Sequence, residues 1–388
     1  MINDDAKSKF QELYGNDSTR LFFSPGRINL IGEHTDYNGG NVFPCAISLG
    51  IYAAYADRND NIVRMYSMNV PDQGIVEFAL DDLDYDKQIS WANYPKGMIA
   101  EIINHGNQLS HGFDIVLNGN LPDGAGLSSS AAIELLTAEI VNDVFELGID
   151  QQELVEYGKL VENNFIGVNS GIMDQFAIGM GKKDKAILLD TNTMKFEYVP
   201  VELGNRVIVI MNTKKHRELQ DSKYNERRSE CEEALKRLQT ALDIKSLGDL
   251  DESAFDQHSY LINDDTLIRR ARHAVFENQR TLQAKSALIN GDLKTFGHLV
   301  NASHISLHYD YDVTGKELDT LAETAWKQPG VIGARMTGAG FGGCAIAIVD
   351  KDKVDDFIKN VGDTYEQKIG HPGEFYIAEI SDGPREIK

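Results

Sequence analysis

Residues able to carry chemistry concentrate in three stretches of the chain. The first is LPDGAGLSSSAA, from Leu121 to Ala132, where Gly124 and Gly126 precede the three hydroxyls of Ser128, Ser129 and Ser130. Glycines without a Cβ let the backbone bend sharply and bring its N–H groups close to an anion. A helix starting near Ser129 would add unpaired N–H groups and a positive dipole end. The hydroxyls suit capping, phosphate oxygens or a magnesium ion, and capping needs only one of them. Taken alone, the stretch is equally a phosphate loop or a structural turn.

The second stretch, GRINLIGEHTDYNGG at 26–40, packs Arg27, Glu33, His34, Asp36 and Tyr37 between glycines. Glu33 and Asp36 are acceptors suited to a polyhydroxylated ligand, and a site that buries such acceptors rejects ligands lacking the matching hydroxyls. A solvated charged loop is the plain alternative. Zinc-type ligation by Glu33, His34 and Asp36 is disfavoured because no second histidine stands nearby.

The third, GARMTGAGFGGCAIA at 333–347, contains a literal GxGxxG at Gly338, Gly340 and Gly343. The run CAIAIV follows it where a dinucleotide-binding turn needs a helix, so it reads as a glycine-rich turn between strands, whose functional role would be a second backbone surface near a ligand. No Walker loop exists: Gly158-Lys159, Gly181-Lys182 and Gly315-Lys316 all lack the following Ser or Thr. Nor is there a protein-kinase HRD or DFG set.

These stretches need elements to hold them. Short β-rich runs are expected at Leu21–Phe23, Ile47–Ala56, Asn61–Ser67, Gly74–Phe78 and Phe113–Leu117, the last feeding the Gly/Ser loop. Helical spacing predicts helices over Ala131–Phe145 and Gln152–Phe165, then over 217–242, Leu267–Ile289 and Leu293–His304. Strands are expected at Val207–Met211, Val331–Met336, Ala345–Val349 and Phe375–Ile380, with a helix over Lys353–Lys368. This mixture favours α+β over a doubly wound α/β fold.

A chain of 388 residues, 42% hydrophobic and 25% charged, is long enough for two domains, divided here at 205/206 with no Pro/Ser-rich linker between them. Asp and Glu outnumber Lys and Arg by 60 to 38, and the net charge of −22 repels nucleic acid and anionic membranes. Cys45, Cys231 and Cys344 are an odd, scattered set without a CxxC pair, so neither disulfides nor a zinc site is expected. MINDDAKSKF carries no signal-type apolar run and no stretch approaches a membrane span, so a cytoplasmic location is expected.

The three stretches together resemble the three signature motifs of the GHMP kinases, and GRINLIGEHTDYNGG is similar to the galactokinase signature within that superfamily. WANYPKG at 91–97, GIMDQF at 171–176 and YNERRSEC at 224–231 extend the resemblance in the same order along nearly the whole chain. It implies an α+β two-domain fold with the active site in the interdomain cleft, and a rare left-handed β-α-β crossover in the first domain. It also implies transfer of the γ-phosphoryl group of ATP to the anomeric hydroxyl of α-D-galactose, giving galactose 1-phosphate and ADP.

By the same resemblance, Asp174 matches the catalytic base and Arg27 its cationic neighbour. An adjacent arginine keeps a carboxylate ionised and stabilises charge on the transferring group. Sugar contacts map to Glu33, His34, Thr35 and Asp36, to Gly171 through its backbone and to Tyr224 through its hydroxyl. Phosphate contacts map to Gly124, Ala125, Gly126, Leu127, Ser128, Ser129 and Ser130, and a further nucleotide contact to Ser67. Mg2+ is expected on Ser130 and Glu162, bridging the β- and γ-phosphates. Galactose and MgATP are thus the expected partners, with no obligate protein partner evident. The rival readings are a kinase for a related sugar such as N-acetylgalactosamine or arabinose, a more distant kinase of homoserine or mevalonate, which EHTDY disfavours, and a non-catalytic galactose sensor. Against the last, SSSAA is complete and both Asp174 and Arg27 are present.

Overall fold

The computed structural model describes residues 2–122, 124–168, 170–215 and 220–387. Thirteen strands lie among them: β1 (Arg20–Asn29), β2 (Asn41–Val42), β3 (Pro44–Asp57), β4 (Ile62–Ser67), β5 (Val76–Ala79), β6 (Phe113–Gly119), β7 (Lys185–Asp190), β8 (Phe196–Pro200), β9 (Arg206–Asn212), β10 (Val331–Thr337), β11 (Cys344–Asp350), β12 (Glu374–Ala378) and β13 (Arg385–Glu386). The helices are α1 (Ile2–Tyr14), α2 (Asn93–Asn104), α3 (Ser129–Val144), α4 (Gln151–Leu160), α5 (Met173–Gly179), α6 (Gln220–Leu238), α7 (Glu252–His258), α8 (Asp265–Ile289), α9 (Leu293–Ser306), α10 (Gly315–Ala325) and α11 (Val354–Ile369).

The first sheet has the order β13-β1-β3-β6-β4-β5, antiparallel except for the parallel pair β4 and β6, whose connection carries β5 and α2. Strand alternation buries both of its faces. Phe22, Tyr55 and Ile115 enter the main core, while Leu21, Ala54 and Val116 on the other face meet Ala6 and Phe10 of α1. The α1 helix had no clear signal: its apolar stripe is only Ala6, Phe10 and their neighbours, one residue per turn between charges.

The second sheet, β10-β11-β9-β12, is antiparallel throughout. Its central strands are apolar at nearly every position because both faces are covered. Ile208, Ile210, Cys344, Ile346 and Ile348 pack into the first core, whereas Val209, Met211, Ala345, Ala347 and Val349 pack into a second core with α6, α8, α10 and α11. A three-stranded sheet, β2-β7-β8, completes the β structure. The mixture is the expected α+β class. The 205/206 division falls at the start of β9, and β13 returns to the first sheet through Phe22 opposite Glu386 and Phe23 opposite Arg385.

Most expected elements form within a residue or two. Residues 217–219 of the helix expected over 217–242 lie outside the described residues, and α6 runs from Gln220 to Leu238. The helix expected over Gln152–Phe165 is two pieces: α4 passes at Val161 into a π-helical turn, Val161–Ile166, which ends on Gly167 in the left-handed conformation. Apolar spacing cannot register this change, because a single widened turn leaves the stripe intact. Phe375–Ile380 is likewise shortened to β12 plus one bridge, Ile47 to Ile380.

Candidate active site

Arg27 reaches the site because β1 bulges between Pro25 and Arg27, where Gly26 passes against the Gly/Ser loop. A Cβ on Gly26 would lie 2.5 Å from Leu121 Cδ2 and 2.8 Å from the Leu127 carbonyl oxygen. The Arg27 amide donates to that Leu127 carbonyl at 3.1 Å, and its Nη1 donates to the Gly126 carbonyl at 2.6 Å. The remaining guanidinium edge forms a bidentate pair with Asp174 in the first turn of α5, at 2.8 Å for each bond. This two-pronged contact fixes the carboxylate in direction as well as charge. Arg27 is buried, which alone would lower its pKa, but Asp174, then Glu33 and Asp36, hold it above its ordinary value.

The loop itself turns on Gly124, Gly126 and Ser128, with φ of 63°, 74° and 63°. Asp123 lies outside the described residues. Left-handed residues alternating with ordinary ones curl successive N–H groups into an anion-binding concavity. Ser128 holds this conformation as a non-glycine residue at the N-cap of α3. Its hydroxyl donates to Asp174 and makes no capping bond. Ser130 donates to Glu162 Oε1 at 2.9 Å, so the π-helical turn and the phosphate loop meet there. Ser129, the first residue of α3, is exposed.

A second set of polar groups comes from the turn after β1. Glu33 is buried and accepts from the Gly338 amide at 2.7 Å, with Arg335 Nη2 at 3.3 Å. Burial pushes its carboxyl up, against the opposing pull of Arg335. Asp36 opens the short 3-10 turn Asp36–Asn38, closed by left-handed Gly39. Burial first, then the charges of Asp174 and Glu33, bring the Asp36 carboxyl up to about 6. Gly171 abuts Asp36: a Cβ there would sit 2.3 Å from Asp36 Oδ2. Tyr224 on α6 covers this side, its ring 5.6 Å from His34 and 5.4 Å from Tyr37.

Arg27, Glu33, His34, Asp36, Ser130, Glu162, Asp174 and Tyr224 together line one cavity of about 510 Å³. A second, of about 260 Å³, is lined by Gly124 through Ser130 and shares Arg27, Asp174, Ser130 and Ala339 with the first. A third, of about 280 Å³, borders Ser129 and Ser130 and is walled by Ile51, Trp91, Tyr94, Leu117, Leu121 and Ile133, with Ser67 at its edge. Two of the expected residues do not line these cavities. Thr35 is fully buried, its hydroxyl within hydrogen-bond reach of the carbonyls of Gly32 and Asn41. Gly171 stands behind Asp36 and does not line the cavity.

Several residues here carry no assignment from the sequence. Arg335 and Ala339 come from the glycine-rich stretch, whose loop 338–343 joins β10 to β11, with Thr337 opposite Cys344. Trp91 and Tyr94 come from WANYPKG. Glu134, four residues beyond Ser130, is fully buried and accepts from Gln175 Nε2 at 3.2 Å; burial first, then Glu162, pushes its carboxyl well up. That bond ties α3 to α5, behind Ser130 and Asp174.

The Ser130 and Glu162 oxygens are hard donors and fit Mg2+, which takes few protein ligands beside phosphate and water. Among the described residues no group of three His, Cys, Asp or Glu side chains forms an all-protein metal cage.

A phosphate nest sharing a wall with an Arg-held carboxylate, on this pair of sheets, is the arrangement of a GHMP kinase. Residues 93–182 match the family described as GHMP kinases N terminal domain, and residues 284–367 match GHMP kinases C terminal. Residues 8–57 match the galactokinase galactose-binding signature. The galactokinase of Lactiplantibacillus plantarum is 68% identical over 387 residues, spanning 100% of both chains, and that of Levilactobacillus brevis is 65% identical over 380, spanning 98% of each. The chain belongs to the galactokinase family. The crystal structure of Lactococcus lactis galactokinase complexed with galactose superposes with a TM-score of 0.94 at 55% identity, covering 98% of each chain. A mevalonate kinase, at 17% identity and a TM-score of 0.70, shares the fold alone.

Proposed function

We propose that the chain transfers the γ-phosphoryl group of ATP to the anomeric hydroxyl of α-D-galactose, releasing galactose 1-phosphate and ADP. The observation that carries this reading is Asp174, a third exposed and gripped by Arg27, on the wall common to the polar cavity and the phosphate nest. The acceptors Glu33 and Asp36, with the Tyr224 hydroxyl, suit a polyol, and Asp174 accepts the hydrogen bond of the attacking hydroxyl. A carboxylate is a weak base toward a sugar hydroxyl, so Asp174 chiefly aims the oxygen and takes the proton late, as a loose transition state allows.

The loop amides from Gly124 to Ser130 hold the phosphates, and Arg27 offsets charge developing on the transferred group. The apolar third cavity, between Trp91 and Tyr94, suits a purine base, with Ser67 beside it. Ser130 and Glu162 would hold Mg2+, which when bound neutralises charge across the β- and γ-phosphates. Thr35 acts by bracing the turn that carries Asp36, and the domains divide at 205/206 with β13 grouped with the first.

Among the described residues no helix is long and apolar enough to cross a membrane. A cytoplasmic location fits ATP as co-substrate and three buried cysteines. Phosphorus NMR of the product tests the chemistry directly: a phosphate coupled to the anomeric proton of an α-galactoside is expected, and phosphorylation at any other carbon overturns the proposal.

A further inference from the structure

His34 stands on the wall of the polar cavity, yet both of its ring nitrogens already have partners. Nε2 lies 3.1 Å from the Ala339 carbonyl oxygen, and Nδ1 lies 2.8 Å from the Tyr37 hydroxyl. A carbonyl can only accept, so Nε2 carries a hydrogen and donates. A neutral imidazole then has a bare Nδ1, and the Tyr37 O–H must donate to it. The Tyr37 oxygen is 2.7 Å from that of Tyr311, whose proton is therefore the donor in that contact. Tyr311 is in turn 3.2 Å from Cys231 Sγ, which leaves the thiol to donate to Tyr311. Every link thus has one direction, from Cys231 on α6 through Tyr311 and Tyr37 to His34 and Ala339.

We infer that Tyr37, backed by Tyr311 and Cys231, is a positioning residue that locks His34 in its Nε2–H tautomer and thereby pins the glycine-rich loop against the sugar-side turn. Three further observations support the assignment. Burial, with the neighbouring His273, holds the His34 imidazole down at about 3, so it stays neutral in the ordinary pH range. Burial pushes the Cys231 thiol up to about 12 and both phenols well above their usual range, so every donor keeps its proton. His34 itself adopts φ 60°, a conformation that a histidine holds only when its surroundings fix it. With both nitrogens occupied, the imidazole has no ring acceptor left for a sugar hydroxyl. Its role is to carry the hydrogen bond that places Ala339, which lines both the polar cavity and the phosphate nest.

The kinetic part of this inference rests on the reading of the polar cavity as the sugar site; the tautomer does not. The test uses the full chain labelled with [15N]histidine, as wild type and as Tyr37→Phe, with the His34 resonances assigned by their loss in His34→Gln. Long-range 1H–15N correlations are expected to show His34 as pure Nε2–H in the wild type and as a mixture of tautomers in Tyr37→Phe. In parallel, Tyr37→Phe should raise KM for the sugar about 5- to 20-fold, as loss of one neutral hydrogen bond to a buried group implies, with kcat changed less than about threefold. Should Tyr37→Phe not fold, Tyr311→Phe, one link further back, is expected to shift the tautomer ratio in the same sense. A wild-type His34 in the Nδ1–H form, a tautomer unmoved by the substitutions, or an unchanged sugar KM in a folded Tyr37→Phe overturns the assignment. The NMR arm needs no substrate, so a different preferred sugar would sink the galactose reading while leaving the tautomer result standing.

Discussion

At the scale of residues, the proposed chemistry centres on the pairing of Arg27 with Asp174. Replacing Asp174 by Ala removes the group proposed to aim the hydroxyl but leaves Glu33, Asp36 and Tyr224 in place. The expected result is a fall in kcat of about 10³-fold or more with sugar affinity largely retained, measured by steady-state kinetics beside calorimetric titration. Wild-type turnover would remove Asp174 from the mechanism. Asp36 supplies the pH dependence. Burial holds its carboxyl up at about 6, and in the proposed role it must be ionised to accept from the sugar, so kcat/KM for galactose should fall about tenfold between pH 7 and pH 5. The stability effect has the opposite sense. The folded value lies above the ordinary 3.8, so the ionised group weakens the ligand-free protein, with the loss growing as pH rises from about 4 to 6. Asp36→Asn should therefore stabilise the free protein at pH 7 by on the order of 1–2 kcal/mol, water in the cavity screening part of the effect, while abolishing turnover. Most of these residues were legible because polar density between glycines is costly unless used. The setting of Thr35 was not legible for a physical reason: in sequence, a hydroxyl that faces a ligand is indistinguishable from one bonded within its own turn.

At the scale of elements, the site depends on close approaches that no periodicity reports. The Gly/Ser loop was readable as strand, turn and helix start, and β6 and α3 flank it as expected. That Gly26, a hundred residues earlier, lets β1 lie against this loop was not. Gly26→Ala would drive a Cβ into Leu121 and the Leu127 carbonyl and so displace the nest. A rise of about tenfold in KM for ATP is expected, with KM for galactose little changed; an unaffected ATP KM would show that the contact does not shape the nest. The π-helical turn at Val161–Ile166 is of the same kind. Glu162 reads in sequence as an ordinary surface glutamate of a long helix, and only the widened turn carries it to Ser130. The two-residue β2 was also unreadable, since so short a pairing carries no apolar period.

At the scale of the whole molecule, the two halves are joined by sheet and by charge. The alternation of β9 and β11 between the two cores explains why their sequences are apolar at consecutive positions. Across the same boundary, Glu277 of α8 is wholly buried, accepts from the Gly32 amide at 2.9 Å and from Ser303, and pairs with Arg280 at 2.8 Å. Burial alone would raise its carboxyl, but Arg280, then His273 and Arg335, outweigh burial and bring it down to about 2. A depressed carboxylate contributes stability above its unfolded value of about 4.5, and that contribution is lost as pH falls toward 2. Glu277→Gln should cost about 3 kcal/mol in denaturant unfolding at pH 7 and less at pH 3. An equal cost at both values would mean that the charge is not what matters. The α+β class and the helix-rich second half were legible from element spacing. The return of β13 to the first sheet was not, because two residues of strand at a chain's end carry no period.

A polar cavity that takes galactose and opens on the phosphate nest is tested most directly by a coupled ADP-release assay comparing kcat/KM for galactose, glucose, N-acetylgalactosamine and arabinose with MgATP. Galactose is expected to exceed each rival, glucose by about 10²-fold or more, since epimerisation leaves a buried acceptor unpaired. A larger kcat/KM for any rival, or binding of galactose and ATP without ADP release, would contradict it.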